Sequence, residues 1–338
     1  MRCFSLVLLA TALPFGSFAA AEGVVNVYSY RQPPLVEPLF KAFTDKTGIA
    51  VKMIFAEKGL IERLEQEGPL SPADVLMSSD VGRLIEAAEK GLAQPLVSDA
   101  INRKIPANLR ASDNQWFGLT MRARVIYASV DRVPQTAISY EELADPKWKG
   151  KICTRPFDHP YNLGLTAFMI AKMGDVETKT WLEGVKANFA VKPNGNDRSQ
   201  AKSVMAGECD LALGNTYYMG LMQNDEKEPE QKEWAKASRI IFPSSERMGT
   251  HVNISGMLLT KNAPDKDNAL KFMEFLASDE AQSLYADANY EYPVNPAVKP
   301  SATVLAWGPL KPDSINVADV AKHLKRAAEL VAEVDMNN

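Results

Sequence analysis

The chain has 338 residues, and its 38 lysines and arginines against 42 aspartates and glutamates give a formal net charge of −4 at pH 7. This mild acidity argues against nucleic acid as a partner, and the charges are scattered, without the polybasic run that holds a protein on a membrane surface. The chain has only three histidines, and they are widely spaced, so a histidine-based metallohydrolase is not expected.

Residues 1–21 have the pattern of an export signal. Arg2 supplies the positive start, residues 4–13 the apolar run, and residues 19–21 the small-residue cleavage site. The apolar run is too short for a permanent membrane-spanning helix, and a buried N-terminal helix is the alternative. Cleavage before Glu22 leaves 338 − 21 = 317 residues, which is typical of about two domains.

Strands and helices alternate after the signal. The patterns predict strands at 24–30, 49–56 and 73–79 and helices at 33–48, 59–68 and 81–91. This alternation indicates an α/β domain with a largely parallel sheet.

A long bent strand at 115–129 is expected to carry the chain out of this domain. A second α/β unit follows, with a helix at 163–174 and a helix and strand over 201–215. A further crossing strand is predicted at 251–264, and helices at 265–287 and 316–336. The predicted domains are therefore 22–121 plus 250–300, and 122–249 plus 301–338.

Two cysteines, Cys153 and Cys209, remain after signal cleavage. In an exported chain such a pair predicts a disulfide bond, and two separate buried thiols are the alternative. Each cysteine lies in a segment that leads into a tyrosine.

The stretch ALGNTYYMG holds two adjacent tyrosines, Tyr217 and Tyr218, behind an apolar run. With Thr216 as N-cap, both become the first residues of a helix, where their side chains diverge by about 100°. Such a helix start faces the ligand crevice of an open α/β sheet. The alternative is an ordinary amphipathic pair, one residue in the core and one on the surface.

Tyr161 follows Cys153 by eight residues, as Tyr217 follows Cys209 by eight. Two parallel strands joined by the disulfide would place the following segments at one edge of the sheet. Three phenolates there would neutralise Fe(III), a hard cation that prefers anionic oxygen and displaces the phenolic protons. Fe(III) is therefore the cation that such a cluster of tyrosines would suit, and the ordinary amphipathic pair stays open as the alternative.

Several segments carry a family resemblance: VYSYRQP, SPADVLMSSDVGRL, LTMRARVIYAS, LADPKWKGKIC, YNLGLTAFMI, GECDLALGNTYYMG and HVNISGMLLTKNAPDKDNALKFMEFLASDEAQ. Together they resemble a bacterial periplasmic ferric-ion-binding protein, the soluble receptor of an ABC iron importer. The resemblance implies an α/β, two-lobed periplasmic-binding-protein fold of type II, with two crossover strands and a mixed sheet flanked by helices in each lobe. It implies Tyr161, Tyr217 and Tyr218 as iron ligands.

The resemblance also implies partners and location. A monomeric, non-enzymatic receptor in the periplasm would deliver iron to an ABC importer permease in the inner membrane, without inserting into the membrane itself.

Some members of this family add a first-lobe histidine or glutamate. This chain departs from them, because it has Arg31, Gln32 and Pro33 where the histidine would stand, and Ser78 and Ser79 where the glutamate would stand. It resembles the class that relies on three tyrosines plus carbonate or a similar small anion. The anion is assigned to Arg31, Gln32 and Arg122. Arg124 competes with Arg122, and a salt bridge is the alternative role of each arginine. His159 and Asp158 are expected not to be ligands.

Two other functions stay open. A receptor of the same fold for a phosphonate, thiamine or a polyamine would use Arg31 and Arg122 directly for an anion. A secreted enzyme is the other alternative, but the sequence lacks G-x-S-x-G, H-E-x-x-H, P-loop and G-x-G-x-x-G motifs.

Overall fold

The computed structural model describes residues 23–338, so the predicted export signal lies outside the described residues. The strands are β1 Val24–Ser29, β2 Ala50–Phe55, β3 Val75–Ser78, β4 Phe117–Ser129, β5 Ile152–Cys153, β6 Leu211–Asn215, β7 Ser238–Ile241, β8 Val252–Leu259 and β9 Tyr292–Pro293.

The α-helices are α1 Pro33–Thr47, α2 Leu60–Glu67, α3 Val81–Glu89, α4 Asp99–Lys104, α5 Pro160–Ala187, α6 Asp197–Ala206, α7 Thr216–Gln223, α8 Glu230–Lys236, α9 Lys266–Leu276, α10 Asp279–Asn289, α11 Ala302–Leu305, α12 Val317–Ala321 and α13 Leu324–Glu333. None of the helices between residues 23 and 338 is long and apolar enough to cross a bilayer.

The strands form two mixed sheets that share β4. The order is β2-β1-β3-β8-β4-β6-β5, and β7 and β9 also pair with β4. In the first lobe β1 is parallel to β2 and β3, and β8 is antiparallel to β3. The first half of β4 pairs with β8, and its second half pairs with β6 and β7. The predicted α/β class, with mixed sheets and crossing strands between two lobes, is confirmed.

Helix α1 shows how the sequence builds the first lobe. Pro33 occupies its first turn, where a missing N–H is tolerated. Its buried stripe includes Phe40 and Phe43, and the Phe43 ring lies 5.1 Å from that of Phe272 in α9. The helix ends at Gly48, whose φ of 74° is a left-handed conformation that glycine adopts without a steric penalty.

The buried apolar residues form separate clusters in the two lobes. The first contains Val27, Phe43 and Leu258, and the second contains Phe168 and Leu330. A third cluster packs on the other side of β4 and β6. Helix α12 spans two of them, since Val317 belongs to the first cluster and Val320 to the second. The exact lobe bounds stay a prediction.

Some element predictions are wrong in detail. The helix predicted over 265–287 is two helices, because the chain breaks after Leu276 and the Ser278 hydroxyl caps α10 by accepting the Ala281 N–H. The helix predicted over 316–336 is likewise the pair α12 and α13. Helices α4 and α8 and strand β7 were not predicted, because each is only four to seven residues long.

Candidate functional site

Two adjacent parallel strands bring the predicted tyrosines together. β5 lies beside β6 with Cys153 opposite Ala212, and the predicted Cys153–Cys209 disulfide is confirmed, with a Cα–Cα distance of 5.9 Å. Both strands end at one sheet edge, where α5 and α7 begin. Tyr161 is the second residue of α5, because this helix begins three residues before its predicted start at residue 163.

The predicted cap of α7 is wrong by one residue. The N-cap is Asn215, so Tyr217 and Tyr218 are the second and third helical residues. The Thr216 hydroxyl accepts the backbone N–H of Ala123 instead, at 3.2 Å. This contact ties the start of α7 to the crossing strand β4.

The three phenols form one cluster. The hydroxyl oxygens of Tyr161 and Tyr217 lie 2.9 Å apart, and the ring centroids of Tyr217 and Tyr218 lie 4.3 Å apart. Burial raises the pKa of Tyr217 well above its ordinary value, and the neighbouring phenols raise it further. Burial and Tyr161 likewise raise the pKa of Tyr218. Without a cation both phenols are therefore protonated at neutral pH.

His159 caps the helix that carries Tyr161. Its Nδ1 accepts the Tyr161 backbone N–H at 3.2 Å, and its ring packs edge-on against the Tyr161 ring, with centroids 4.5 Å apart. Burial and the nearby Arg155 lower the pKa of His159 to about 4, so the imidazole is neutral at pH 7. Asp158, next to it, is exposed.

A cluster of buried charged side chains, centred on Asp197, lies next to the segments that carry the tyrosines. The Asp197 carboxylate accepts from Arg124 Nη1 at 2.8 Å, from Arg155 Nη1 at 3.1 Å and from the Asn215 backbone N–H at 2.8 Å. Arg124 also donates to the side-chain oxygen of Asn162, at 2.8 Å and 3.1 Å. Arg124 is therefore held inside the second lobe.

Two further arginines lie over the phenol rings. The Arg155 guanidinium carbon is 4.8 Å from the Tyr161 ring centroid, and that of Arg198 is 5.2 Å from the Tyr218 ring centroid. Sequence reasoning missed both arginines. Arg155 had a usable signal, since it follows β5 by two residues, just as Arg31 follows β1 by two.

The first lobe contributes Arg31. Its Nε donates to the Tyr285 hydroxyl at 2.9 Å, and its Nη2 donates to Asn289 at 2.8 Å and to Glu291 at 2.9 Å. The salt bridge considered as the alternative role of Arg31 is therefore present. Gln32, the N-cap of α1, is exposed. Burial alone lowers the pKa of Arg31, but the neighbouring Glu291 and Tyr285 raise it above its ordinary value.

Arg122 and Arg124 face different lobes. Arg122 donates to the Ser79 carbonyl and to the Ser255 hydroxyl, and both partners belong to the first lobe. One small cleft is lined by Arg122, Arg124 and Tyr161, together with Asn215, His251 and Asn253. A larger cavity of about 530 Å³ opens beside it, between the starts of α3 and α5.

The phenol cluster, of which Tyr161 lines this cleft, favours a hard trivalent cation. Between residues 23 and 338 no group of three or more histidines, cysteines, aspartates or glutamates is arranged to hold a metal ion. The three clustered phenols are a source of anionic oxygen once their protons leave, and phenolate suits hard, highly charged cations.

The comparisons with known proteins agree with this architecture. A family model described as bacterial extracellular solute-binding protein matches residues 28–283. Iron uptake protein A2 of Synechocystis sp. is 43% identical, over 94% of this chain and 91% of its own length. Two solved structures are also similar. The ferric iron-binding protein A of Mannheimia haemolytica, in an open conformation, is 50% identical with a TM-score of 0.89, over 94% of this chain and 99% of that one. A Trichodesmium protein (IdiA, FutA) in complex with iron and citrate ligands is 42% identical with a TM-score of 0.89, over 93% and 100%.

Proposed function

The chain belongs to the family of bacterial extracellular solute-binding proteins, and from that premise we propose that it is a periplasmic receptor that binds Fe(III) between its lobes and delivers it to an ABC importer. The family is one of binding proteins rather than enzymes. The resemblance to ferric-ion-binding proteins that the sequence motifs predicted is confirmed by relatives with iron uptake or ferric iron binding in their names.

The observation that carries the proposal is the phenol cluster at the shared sheet edge. Tyr161 and Tyr217 already place their hydroxyl oxygens 2.9 Å apart, and Tyr218 packs against Tyr217. Three phenolates balance the charge of one Fe(III), so the bound ion leaves no net buried charge. Since Tyr217 and Tyr218 are protonated before binding, Fe(III) capture releases protons.

A synergistic anion completes the coordination. Fe(III), like other hard ions, takes about six ligands, so three phenolates leave positions for carbonate or a similar small anion. Arg31, Gln32 and Arg122 are the proposed anion contacts. Arg31 Nη1 makes no hydrogen bond to any of the described residues 23–338, so this group is left to donate to the anion. Gln32, the next residue, is exposed.

The binding cycle uses the two crossing strands. Fe(III) first binds to the tyrosines of the second lobe, and the anion then bridges to the first lobe. Bending at β4 and β8 closes the lobes, and the closed form is what the inner-membrane permease recognises. Protonation of the phenolates, loss of the anion or reduction to Fe(II) releases the ion.

The proposal is tested by measuring iron affinity in competition with citrate, with iron per chain counted by elemental analysis. We expect one iron per chain for the mature protein and a loss on the order of a hundredfold or more in affinity for Tyr217→Phe, since one charged ligand is replaced by a hydrogen. Tyr28→Phe is the matched control, because Tyr28 is a first-lobe tyrosine that donates to Glu67 instead. Equal iron affinities of all three proteins would refute the site, and binding of a phosphonate, thiamine or a polyamine without iron would favour the other receptor class.

A further inference from the structure

A fully buried carboxylate, Glu291, lies between the two arginines of the proposed anion site. Its Oε1 accepts from Arg31 Nη2 at 2.9 Å. Its Oε2 accepts from the hydroxyls of Thr120 and Ser255, the latter at 3.3 Å. The Ser255 oxygen in turn accepts from Arg122 Nη1 at 3.3 Å. One acidic side chain thus connects both arginines, directly on one side and through a hydroxyl on the other.

Glu291 is the charged member of the shell around Arg31. The other two acceptors, the Tyr285 hydroxyl and the Asn289 amide oxygen, are neutral. All three hydrogen bonds have an ionised donor, but only the bond to Glu291 adds the attraction between two opposite charges, which is strengthened by burial. A long arginine side chain also loses rotamer entropy when it is fixed, so the orientation of Arg31 depends chiefly on Glu291.

The carboxylate is ionised in this position. Burial alone raises the pKa of Glu291, but the charges of Arg31 and Arg122 and the hydrogen bond from Thr120 bring it below its ordinary value. A buried anion between two cations lowers the cost of burying both guanidinium groups.

The same carboxylate is attached to both crossing strands. Thr120 lies on β4 and Ser255 on β8, and the two residues pair directly in the sheet. Glu291 therefore fixes Arg31 relative to the strands that bend when the lobes close.

We propose that Glu291 is the positioning residue of the anion site, which holds Arg31 directly and Arg122 through Ser255 as a preformed cationic wall for the synergistic anion. This inference rests on the proposed function. Glu291 contacts neither the anion nor the iron, and it acts by removing the need to order the arginines when the anion binds.

The test measures the iron affinity of the mature protein with and without bicarbonate, in competition with a chelator. The informative quantity is the ratio of the two affinities, here called the bicarbonate gain. We expect Glu291→Ala to lower the bicarbonate gain tenfold or more, and to change the bicarbonate-free affinity by less than threefold, because the tyrosines lie in the other lobe. Glu291→Gln should retain part of the gain, since its amide oxygen still accepts from Arg31 but without the negative charge.

A matched control and a second variant keep the test decisive. Glu67 also accepts from a tyrosine, a serine and an arginine of the first lobe, but it contacts neither Arg31 nor Arg122, so Glu67→Ala should leave the bicarbonate gain unchanged. If Glu291→Ala does not fold, Tyr285→Phe removes one hydroxyl acceptor of Arg31 and no carbon atom. This variant should lower the bicarbonate gain about threefold.

The possible outcomes distinguish a failure of the inference about Glu291 from a failure of the proposed iron-receptor function. A wild-type bicarbonate gain that persists in Glu291→Ala overturns the inference and leaves the iron receptor intact. If Glu291→Ala does not fold, a wild-type gain in Tyr285→Phe overturns it instead. Equal losses with and without bicarbonate also overturn it, because a general structural role would weaken both affinities alike. Absence of iron binding in the wild type overturns the proposed function itself.

Discussion

Removal of the disulfide between Cys153 and Cys209 should lower the free energy of unfolding by about 4 kcal/mol. The bond closes a loop with a sequence separation of 56 residues. In the chain-entropy model a loop of this length restricts the unfolded chain by about 14 cal/mol/K, which is about 4 kcal/mol at 25 °C. At roughly 2–4 °C per kcal/mol, the melting temperature should fall by about 8–16 °C.

The assay is guanidinium denaturation of the double variant Cys153→Ala/Cys209→Ala, followed by circular dichroism. Reduced wild-type protein controls for the change of side chains. The ladder between β5 and β6 pairs Ile152 with Leu211 as well as Cys153 with Ala212, so the variant should still bind iron at 25 °C. A loss of stability below about 1 kcal/mol would refute the account of the disulfide as a constraint on the unfolded chain.

Three further predictions concern buried polar groups and the contact between the lobes. Asp197→Ala leaves two buried arginines without their carboxylate, so denaturation should show a loss of about 3–5 kcal/mol, and a loss below 1 kcal/mol would contradict the burial argument. A Cβ added at Gly220, in the second lobe, would lie 2.4 Å from the ring of Tyr290, in the first lobe. Gly220→Ala should therefore hold the lobes apart, which should increase the radius of gyration in solution scattering and weaken iron binding on the order of tenfold. An unchanged affinity and radius would count against this. Burial lowers the pKa of His251 to about 3, so the unfolded state binds a proton first, and up to about 4 kcal/mol of stability should disappear as the pH falls from about 6.5 towards 3. His251→Gln should flatten this pH dependence, and an equally steep curve would refute the assignment.

Local patterns were sufficient to predict most of the fold. Strand β1 and helix α1 lie within one or two residues of their predicted bounds. Their signals, the alternation of apolar residues and the glycine that ends the helix, are present in the local sequence itself. The disulfide was predictable as well, since an exported chain with two remaining cysteines has one intramolecular pairing. The breaks at Ala277 and before His323 were not predictable by periodicity, because the apolar spacing continues across them.

The site was predictable only where resemblance or strand order applied. Tyr161 and Tyr217 come together because β5 and β6 are parallel neighbours, which the equal spacing from the two cysteines indicated. The partners of the arginines were not predictable, because they are distant in the chain. Arg31 meets Glu291 across 260 residues, and no local pattern pairs residues at such a separation. For the same reason local patterns did not decide between Arg122 and Arg124 as the proposed anion contact.

The most direct test of the central claim is the visible absorption spectrum, from 400 to 600 nm, during titration of the mature protein with Fe(III)-citrate. A ferric ion bound by phenolates gives a broad charge-transfer band in this range. The account predicts a band that saturates at one iron per chain and is lost or strongly weakened in Tyr217→Phe and in Tyr218→Phe. A protein that binds iron without such a band, or that stays colourless throughout the titration, would contradict the tyrosine site.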